Sequence, residues 1–297
     1  FILIFAGFVC VKTKAVKMEG KKAFSDLLLY LIVPAMVINS YMMEFNIDIL
    51  HNLLKAFELS ILLLLIGLFI TLALTAKHKS PDLPIMRFAC IFSNAAYMGF
   101  PLIQALFGSE GLLYASAFVT VYNILLWTAG YGIVSKKVRA KEVLRTIFTN
   151  PVLISVVAGL LIYLCQIPVP DIIKQPVSLV GNMNTPLAMI IAGANLAQGN
   201  LLKSLQNKRL YLLCSVKLIL YPLVGLVALW LLHLEFHIAF TVFIGMACPA
   251  GASAIMFAER YGKDAKYASE IFVVTTVLSA VSIPVLSVLA IRLLGAA

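Results

Sequence analysis

Apolar runs of roughly 20 residues recur from one end of this chain to the other. A helix of about 20 apolar residues crosses the hydrocarbon core of a bilayer, so each run is long enough for one membrane span. Hydrophobic residues make up 62% of the 297 residues and charged residues only 12%. A soluble domain is about 45–50% apolar and about 25% charged, so this composition excludes a soluble fold. The sequence therefore predicts an all-α integral membrane protein.

The spacing of the apolar runs predicts ten spans within one membrane domain covering 1–297, since no polar stretch is long enough for a separate soluble domain. The first run starts at Phe1 without a methionine and is half a span long, so we expect residues to be missing before it. The approximate spans are 1–11, 22–43, 51–76, 83–107, 111–135, 150–167, 171–199, 208–232, 237–260 and 265–294.

Basic residues are concentrated on one side of this arrangement. With the N-terminus outside, most of the 23 Lys and Arg fall in cytoplasmic loops, as the positive-inside rule requires. We therefore expect a multi-pass protein of the cell membrane, of the bacterial inner-membrane kind, with both termini outside. Its partner is the lipid bilayer. The net charge of +10 is explained by the orientation of the protein and its contact with anionic lipid. This charge therefore does not indicate a nucleic-acid partner.

Two spans contain Gly, Pro and small polar residues in their middle, at 92–101 and at 245–254. Each interruption is followed by a similar continuation, Tyr114-Ala-Ser in the first half and Tyr267-Ala-Ser in the second. Paired interruptions in two halves are typical of transporters built from inverted repeats, with the binding site at the breaks. Unwound backbone at membrane depth needs protein or water to satisfy its polar groups, so the breaks predict a polar cavity. We predict inverted repeats over about 1–135 and 150–297.

The residues of both interruptions resemble the auxin efflux carrier family, in its short bacterial permease form. The resemblance rests on Asn94-Ala-Ala-Tyr-Met-Gly-Phe-Pro101 in the fourth span, and on Ala247-Cys-Pro-Ala-Gly-Ala252 with Phe257-Ala-Glu-Arg-Tyr261 in the ninth. It extends over nearly the whole chain. It implies that helices four and nine are broken and cross, that a transport domain moves like an elevator against a scaffold, and that the protein is a homodimer. Plant auxin exporters and bacterial carboxylate permeases belong to this family.

The broken helices predict an anion site. A helix that restarts after a break has unpaired N–H groups and a positive dipole end, and two such ends facing one cavity attract an anion. We expect these N–H groups after Asn94 and after Pro249, with no Arg in either segment to assist them. An alternative role for Asn94 is helix stabilisation alone. The candidate substrate-binding residues are Asn94, Tyr97, Pro249, Ala250, Gly251, Ser253, Asn39 and Asn195.

Other residues are candidates for crossing, hinge or coupling roles. Gly99 and Pro101 lie in the first interruption and Pro249 in the second; the resemblance favours Pro249 as the crossing residue, while Pro101 is either a crossing proline or the end of the break. Lys217 lies deep inside the eighth span, where a charge usually faces the protein interior. Snorkelling toward the membrane surface is its alternative. Glu58 and Glu270 are further candidates for coupling.

The leading hypothesis is a secondary carrier of small organic anions such as carboxylates, with H⁺ and Na⁺ as candidate coupling ions. A sodium-coupled organic-anion symporter with bile-acid-transporter-like architecture is one alternative, because unwound carbonyls and hydroxyls can hold Na⁺. A membrane sensor that does not transport is another. An enzyme is the least favoured class, since the sequence contains no catalytic motif or phosphate-binding loop. We expect no cofactor and no metal site.

Overall fold

The computed structural model describes residues 2–16, 18–135, 140–198, 201–207 and 209–295. All regular secondary structure within these residues is helical, which confirms the predicted all-α class. The α-helices are α1 (Ile2–Lys12), α2 (Met18–Leu27), α3 (Val33–Tyr41), α4 (Ile47–Leu74), α5 (Leu83–Ile91), α6 (Phe100–Leu125), α7 (Tyr131–Ser135), α8 (Ala140–Thr149), α9 (Pro151–Leu164), α10 (Asp171–Asn182), α11 (Asn184–Gln198), α12 (Leu201–Gln206), α13 (Arg209–Ser215), α14 (Tyr221–Leu231), α15 (Phe236–Ala247), α16 (Ser253–Arg260) and α17 (Ala265–Leu294).

Several α-helices are joined by one turn of π-helix. Such turns are rare in proteins and occur often at functional sites. The turn at Ala95–Gly99 leads into α6 and contains Tyr97, and the turn at Val216–Leu220 joins α13 to α14 and contains Lys217. Two further turns, Leu28–Ile32 and Leu126–Gly130, join α2 to α3 and α6 to α7.

Six helical runs in the described residues are long and apolar enough to cross a membrane, and α8 with α9 would form a seventh if that bent pair is one span. This confirms a multi-pass membrane protein. Helices α1 and α15 are apolar but shorter. The six runs are Ala23–Tyr41, Ile47–Leu74, Ala95–Ser135, Asp171–Ala197, Leu210–Leu231 and Ala265–Leu294.

The structure differs from several predicted span boundaries. The gap expected between 107 and 111 is a single non-helical residue, Gly108, whose φ of 60° and ψ of −141° suit glycine. The span expected at 171–199 is divided at Met183. The span expected at 150–167 begins at Pro151, because the Asn150 side chain accepts from the N–H of Val152 and caps the helix. Helix α8 meets α9 there at an angle of 55°.

Two large hydrophobic clusters form the interior. The first is built mainly from α3, α4, α6, α9, α14 and α15, and the second mainly from α5, α13, α16 and the first half of α17. A third, small cluster joins Met98 and Cys248, which lie in the two interrupted segments, to Ile4 of α1 and Ala192 of α11. The interrupted segments are therefore packed on several sides and lie in the interior.

Helices α1 and α11 touch backbone to backbone. A Cβ added to Gly193 would lie 1.8 Å from the carbonyl oxygen of Ile4, and one added to Gly7 would lie 2.1 Å from the carbonyl oxygen of Ile190. Small residues allow transmembrane helices to approach this closely. The contact fixes α1 against α11, which also packs on the π-helical turn at Ala95–Gly99.

Candidate functional site

The backbone leaves helical conformation at both predicted interruptions. Helix α5 ends at Ile91, and Phe92 is extended with φ −93° and ψ 108°. Helix α15 ends at Ala247, and Cys248 has φ −59° and ψ 151°. Pro249 explains the second break, because proline lacks an N–H and disfavours helical conformation in the residue before it. In the first break, Ser93 and Asn94 are of the types whose side chains compete with helical hydrogen bonds.

The two interrupted segments pair with each other. The backbone N–H of Asn94 donates to the carbonyl oxygen of Pro249 at 2.7 Å, and the N–H of Gly251 donates to the carbonyl oxygen of Phe92 at 3.0 Å. Ser93 and Ala250 lie opposite each other as an antiparallel bridge. Each segment thus satisfies polar backbone groups that the other exposes by unwinding, as unwound backbone at membrane depth requires.

The two halves of each interrupted helix pack in different hydrophobic clusters. Residues of α5 pack with residues of α16 in one cluster, and the start of α6 packs with α15 in the other. The chain therefore passes from one cluster to the other at 92–94, and returns at 248–252. We call these two segments together the crossing.

Unpaired backbone donors remain on both sides of the crossing. The N–H groups of Ala95, Ala96 and Tyr97 have no hydrogen-bond acceptor in the described part of the chain, and neither do those of Ala252 and Ser253. They are the first donors of two helical segments, whose N-terminal ends have positive partial charge. Of the candidate N–H groups after Pro249, the first two already have acceptors in the structure. The N–H of Ala250 donates to the Thr275 hydroxyl at 3.2 Å, and that of Gly251 donates across the crossing.

The side chains next to these donors are polar and largely enclosed. Asn94 is only 5% exposed, and its amide has no hydrogen-bond partner among the described residues. The half-buried Ser253 hydroxyl lies 3.4 Å from the Tyr122 hydroxyl. A Cβ on Gly251 would approach the Ser253 oxygen to 2.9 Å, so the missing side chain leaves the hydroxyl accessible. The half-buried Tyr97 packs against the first cluster.

Lys217 reaches the crossing from the π-helical turn in which it lies. Its side chain is fully buried, and its Nζ donates to the Ser93 hydroxyl at 2.5 Å. The Ser93 hydroxyl donates in turn to the carbonyl oxygen of Met246 at 3.1 Å. The Tyr221 ring lies 5.1 Å from the same nitrogen. The prediction that Lys217 faces the interior is confirmed, and snorkelling is excluded.

Some predicted residues lie outside the crossing. Pro101 is buried in the first turn of α6, after the π-helical turn, so it is not the crossing proline; Pro249 is the proline that accepts a hydrogen bond there. Glu58 is exposed on α4. The Glu270 carboxylate accepts from the Asn207 side chain at 2.9 Å. These two acids therefore do not contact Lys217.

The remaining predicted residues surround the crossing or lie at one end of the fold. Gly99 faces the second segment, since a Cβ there would lie 3.4 Å from Cys248 Sγ. Asn195 is half-buried on α11, whose Ala192 packs with Met98 and Cys248. Asn39 instead lines a cavity of about 630 Å³, together with Met42, Met43, Ser109, Asp171, Lys174, Gln175, Ser178 and Leu179.

Two contacts at the crossing involve residues that the sequence did not identify. Ser93 lies inside the first interruption, but its role as acceptor for Lys217 depends on a residue in another span. Thr275 lies on α17, and its hydroxyl accepts a hydrogen bond from the N–H of Ala250. No periodicity connects either pair, so the tertiary structure is needed to find them. Within the described residues, no cluster of His, Cys, Asp or Glu is suited to hold a metal ion.

Long apolar helices around an interior crossing define a multi-pass membrane protein. Residues 1–287 match the membrane transport protein family, which includes the auxin efflux carriers, and the chain belongs to that family. This is a family of transporters and not of enzymes. A search of curated proteins finds no match to this chain.

Proposed function

We propose that this protein is a secondary carrier of small organic anions such as carboxylates, which bind at the crossing. The observation that supports this most strongly is the set of unpaired N–H donors at Ala95, Ala96 and Tyr97 and at Ala252 and Ser253. Donors at helix N-termini favour a negatively charged ligand. The side chain of Asn94, which is 5% exposed and bonds no described residue, adds an amide donor beside them.

The charge at the crossing also favours an anion over a cation. The charged side chain bonded to it is Lys217, which has no described carboxylate within hydrogen-bond or ion-pair distance. A carrier that exchanges protons for metal cations would need an acidic side chain that binds the proton and the cation in turn. The two interrupted segments contain none.

The architecture we propose has ten membrane helices in two inverted repeats of five, over about 1–135 and 150–297. In this account the fourth span is α5 with α6 as far as Gly108, and the ninth is α15 with α16. The pairing of the segments and the division of each helix between two clusters support it. Elevator-type alternating access and a homodimer complete the proposal. Both termini lie outside, in a membrane of the bacterial inner-membrane kind.

Direct binding to the purified protein tests the proposed ligand class. We expect mono- or dicarboxylates to raise the melting temperature, because a ligand at 100 times its Kd stabilises the folded state by about 2.7 kcal/mol. Neutral amides of the same size and shape are the matched controls, and they should give a much smaller shift. Equal shifts from the carboxylates and the amides would contradict the proposal.

Uptake into proteoliposomes separates the remaining alternatives. A carrier accumulates or exchanges the carboxylate that it binds. Uptake that requires sodium on one side would favour a sodium-coupled symporter, and uptake that follows a pH gradient would favour coupling to protons. Binding without any uptake or exchange would favour a sensor and contradict the carrier.

A further inference from the structure

Lys217 is a buried side chain whose hydrogen-bonding capacity is only partly used. A lysine ammonium has three N–H donors. One donates to the Ser93 hydroxyl, and the others have no acceptor among the described residues. The Tyr221 ring contributes a weaker contact at 5.1 Å. A buried charge without a partner is strongly unfavourable, and the described residues around Lys217 include no compensating carboxylate.

The groups that surround Lys217 have no charge of their own. The Ser93 hydroxyl uses its hydrogen in the bond to the Met246 carbonyl, so its lone pairs face the ammonium. The thiols of Cys90 and Cys248 are also buried, with both cysteines unpaired. The helix ends at Ala95 and Ser253 add positive partial charge to the same crossing. Helices α5 and α15 end at this crossing and add negative partial charge, so among the described groups here Lys217 is the one with a full charge.

We propose that Lys217 is the residue that makes the site selective for anions, its ammonium being the fixed countercharge of the bound ligand. This rests on the proposed function and deepens it. The backbone N–H groups favour a carboxylate over a neutral amide oxygen only through the partial charge of the helix ends. A full positive charge in a low-dielectric interior discriminates strongly. The anion in turn compensates the charge that the protein leaves unpaired.

A pair of substitutions tests this role by binding measurements. Lys217→Met keeps the length and removes the charge. We expect it to weaken carboxylate binding at least tenfold while affinity for the matched neutral amide changes less than twofold, so that selectivity is lost rather than binding in general. Lys55→Met is the control, since Lys55 is exposed on α4. It should leave both affinities unchanged.

Chemical rescue separates lost charge from lost packing. Lys217→Ala leaves space beside Ser93 for a small cation, and we expect propylammonium to restore carboxylate binding to this variant. Propanol, which has similar bulk without charge, should not. If Lys217→Met does not fold, the same test is given by Lys217→Gln, which removes the charge and keeps a polar group, and by the rescue of Lys217→Ala.

The outcomes distinguish this proposal from the proposed function. Carboxylate binding by Lys217→Met within twofold of the unmodified protein, or rescue of Lys217→Ala by propanol as well as propylammonium, would overturn the role of Lys217 and leave the carrier intact. Equal affinity of the unmodified protein for carboxylates and amides would overturn the proposed function itself. Loss of carboxylate selectivity with propylammonium-specific rescue supports both.

Discussion

The backbone N–H of Asn94 donates to the carbonyl oxygen of Pro249 at 2.7 Å, across two helices that both unwind at this point. The bond joins residues far apart in the sequence, and it leaves the Asn94 side chain free of any bond to the described residues. The backbone of Asn94 therefore stabilises the crossing, while its amide is available for a ligand.

We expect Asn94→Ala to reduce carboxylate transport far more than stability. A hydrogen bond to a charged group contributes about 1.5–3 kcal/mol, which corresponds to roughly 10- to 150-fold in affinity. The melting temperature should change little, because the amide bonds no described residue and the backbone bond to Pro249 survives. Uptake in proteoliposomes and melting in detergent measure the two effects.

The control for this substitution is Asn52→Ala. The Asn52 amide donates to the Glu235 carboxylate at 2.5 Å, away from the crossing. Its loss should affect melting without a comparable loss of uptake. Normal uptake by Asn94→Ala would remove Asn94 from the site.

Thr275→Val should destabilise the second interrupted segment. Valine has nearly the same shape, but it leaves the buried N–H of Ala250 without its acceptor, at a cost of about 1–3 kcal/mol. Thr276→Val is a matched control, because the buried Thr276 hydroxyl has no partner in the described structure. We expect the control to be neutral or stabilising. Thermal unfolding of both variants measures this, and equal effects would show that the Thr275 bond does not hold the segment.

Gly193→Ala should lower the melting temperature and Gly99→Ala should not. A Cβ on Gly193 would lie 1.8 Å from a backbone oxygen of α1, which cannot move without shifting that helix. Overpacking of this kind typically costs about 1–3 kcal/mol or more. A Cβ on Gly99 meets its nearest atom at 3.4 Å, an ordinary contact. Similar melting temperatures for Gly193→Ala and the unmodified protein would mean that α1 and α11 are not packed this closely.

The sequence predicted features that depend on local composition, and missed those that depend on tertiary contact. Apolar runs gave the helical membrane class, and Pro249 marked a position where a helix cannot continue. The depth of Lys217 in its span predicted an interior position, which burial confirms. The coupling role considered for Glu58 rested on the same kind of depth, but Glu58 is exposed. Depth along a helix does not determine which face of the helix a residue occupies.

The span boundaries, and the acceptors of the backbone N–H groups at the crossing, were harder to predict because they also depend on the tertiary structure. The gap expected between 107 and 111 is only Gly108, because one residue with positive φ is enough to change the direction of the chain. The N–H of Ala250 donates to the Thr275 hydroxyl, and the N–H of Gly251 donates to the Phe92 carbonyl oxygen. Both acceptors lie in other segments of the chain. Only the arrangement of the helices in space determines which N–H groups remain for a ligand.

The most direct measurement is the position of a bromine-labelled carboxylate in a crystal of the protein, located by the anomalous signal of the bromine. This account predicts a carboxylate at the crossing, within hydrogen-bond distance of the Asn94 amide or of the N–H groups of Ala95–Tyr97 and Ala252–Ser253. A carboxylate found instead in the cavity of about 630 Å³ beside Asn39 and Lys174, with the crossing empty, would contradict it.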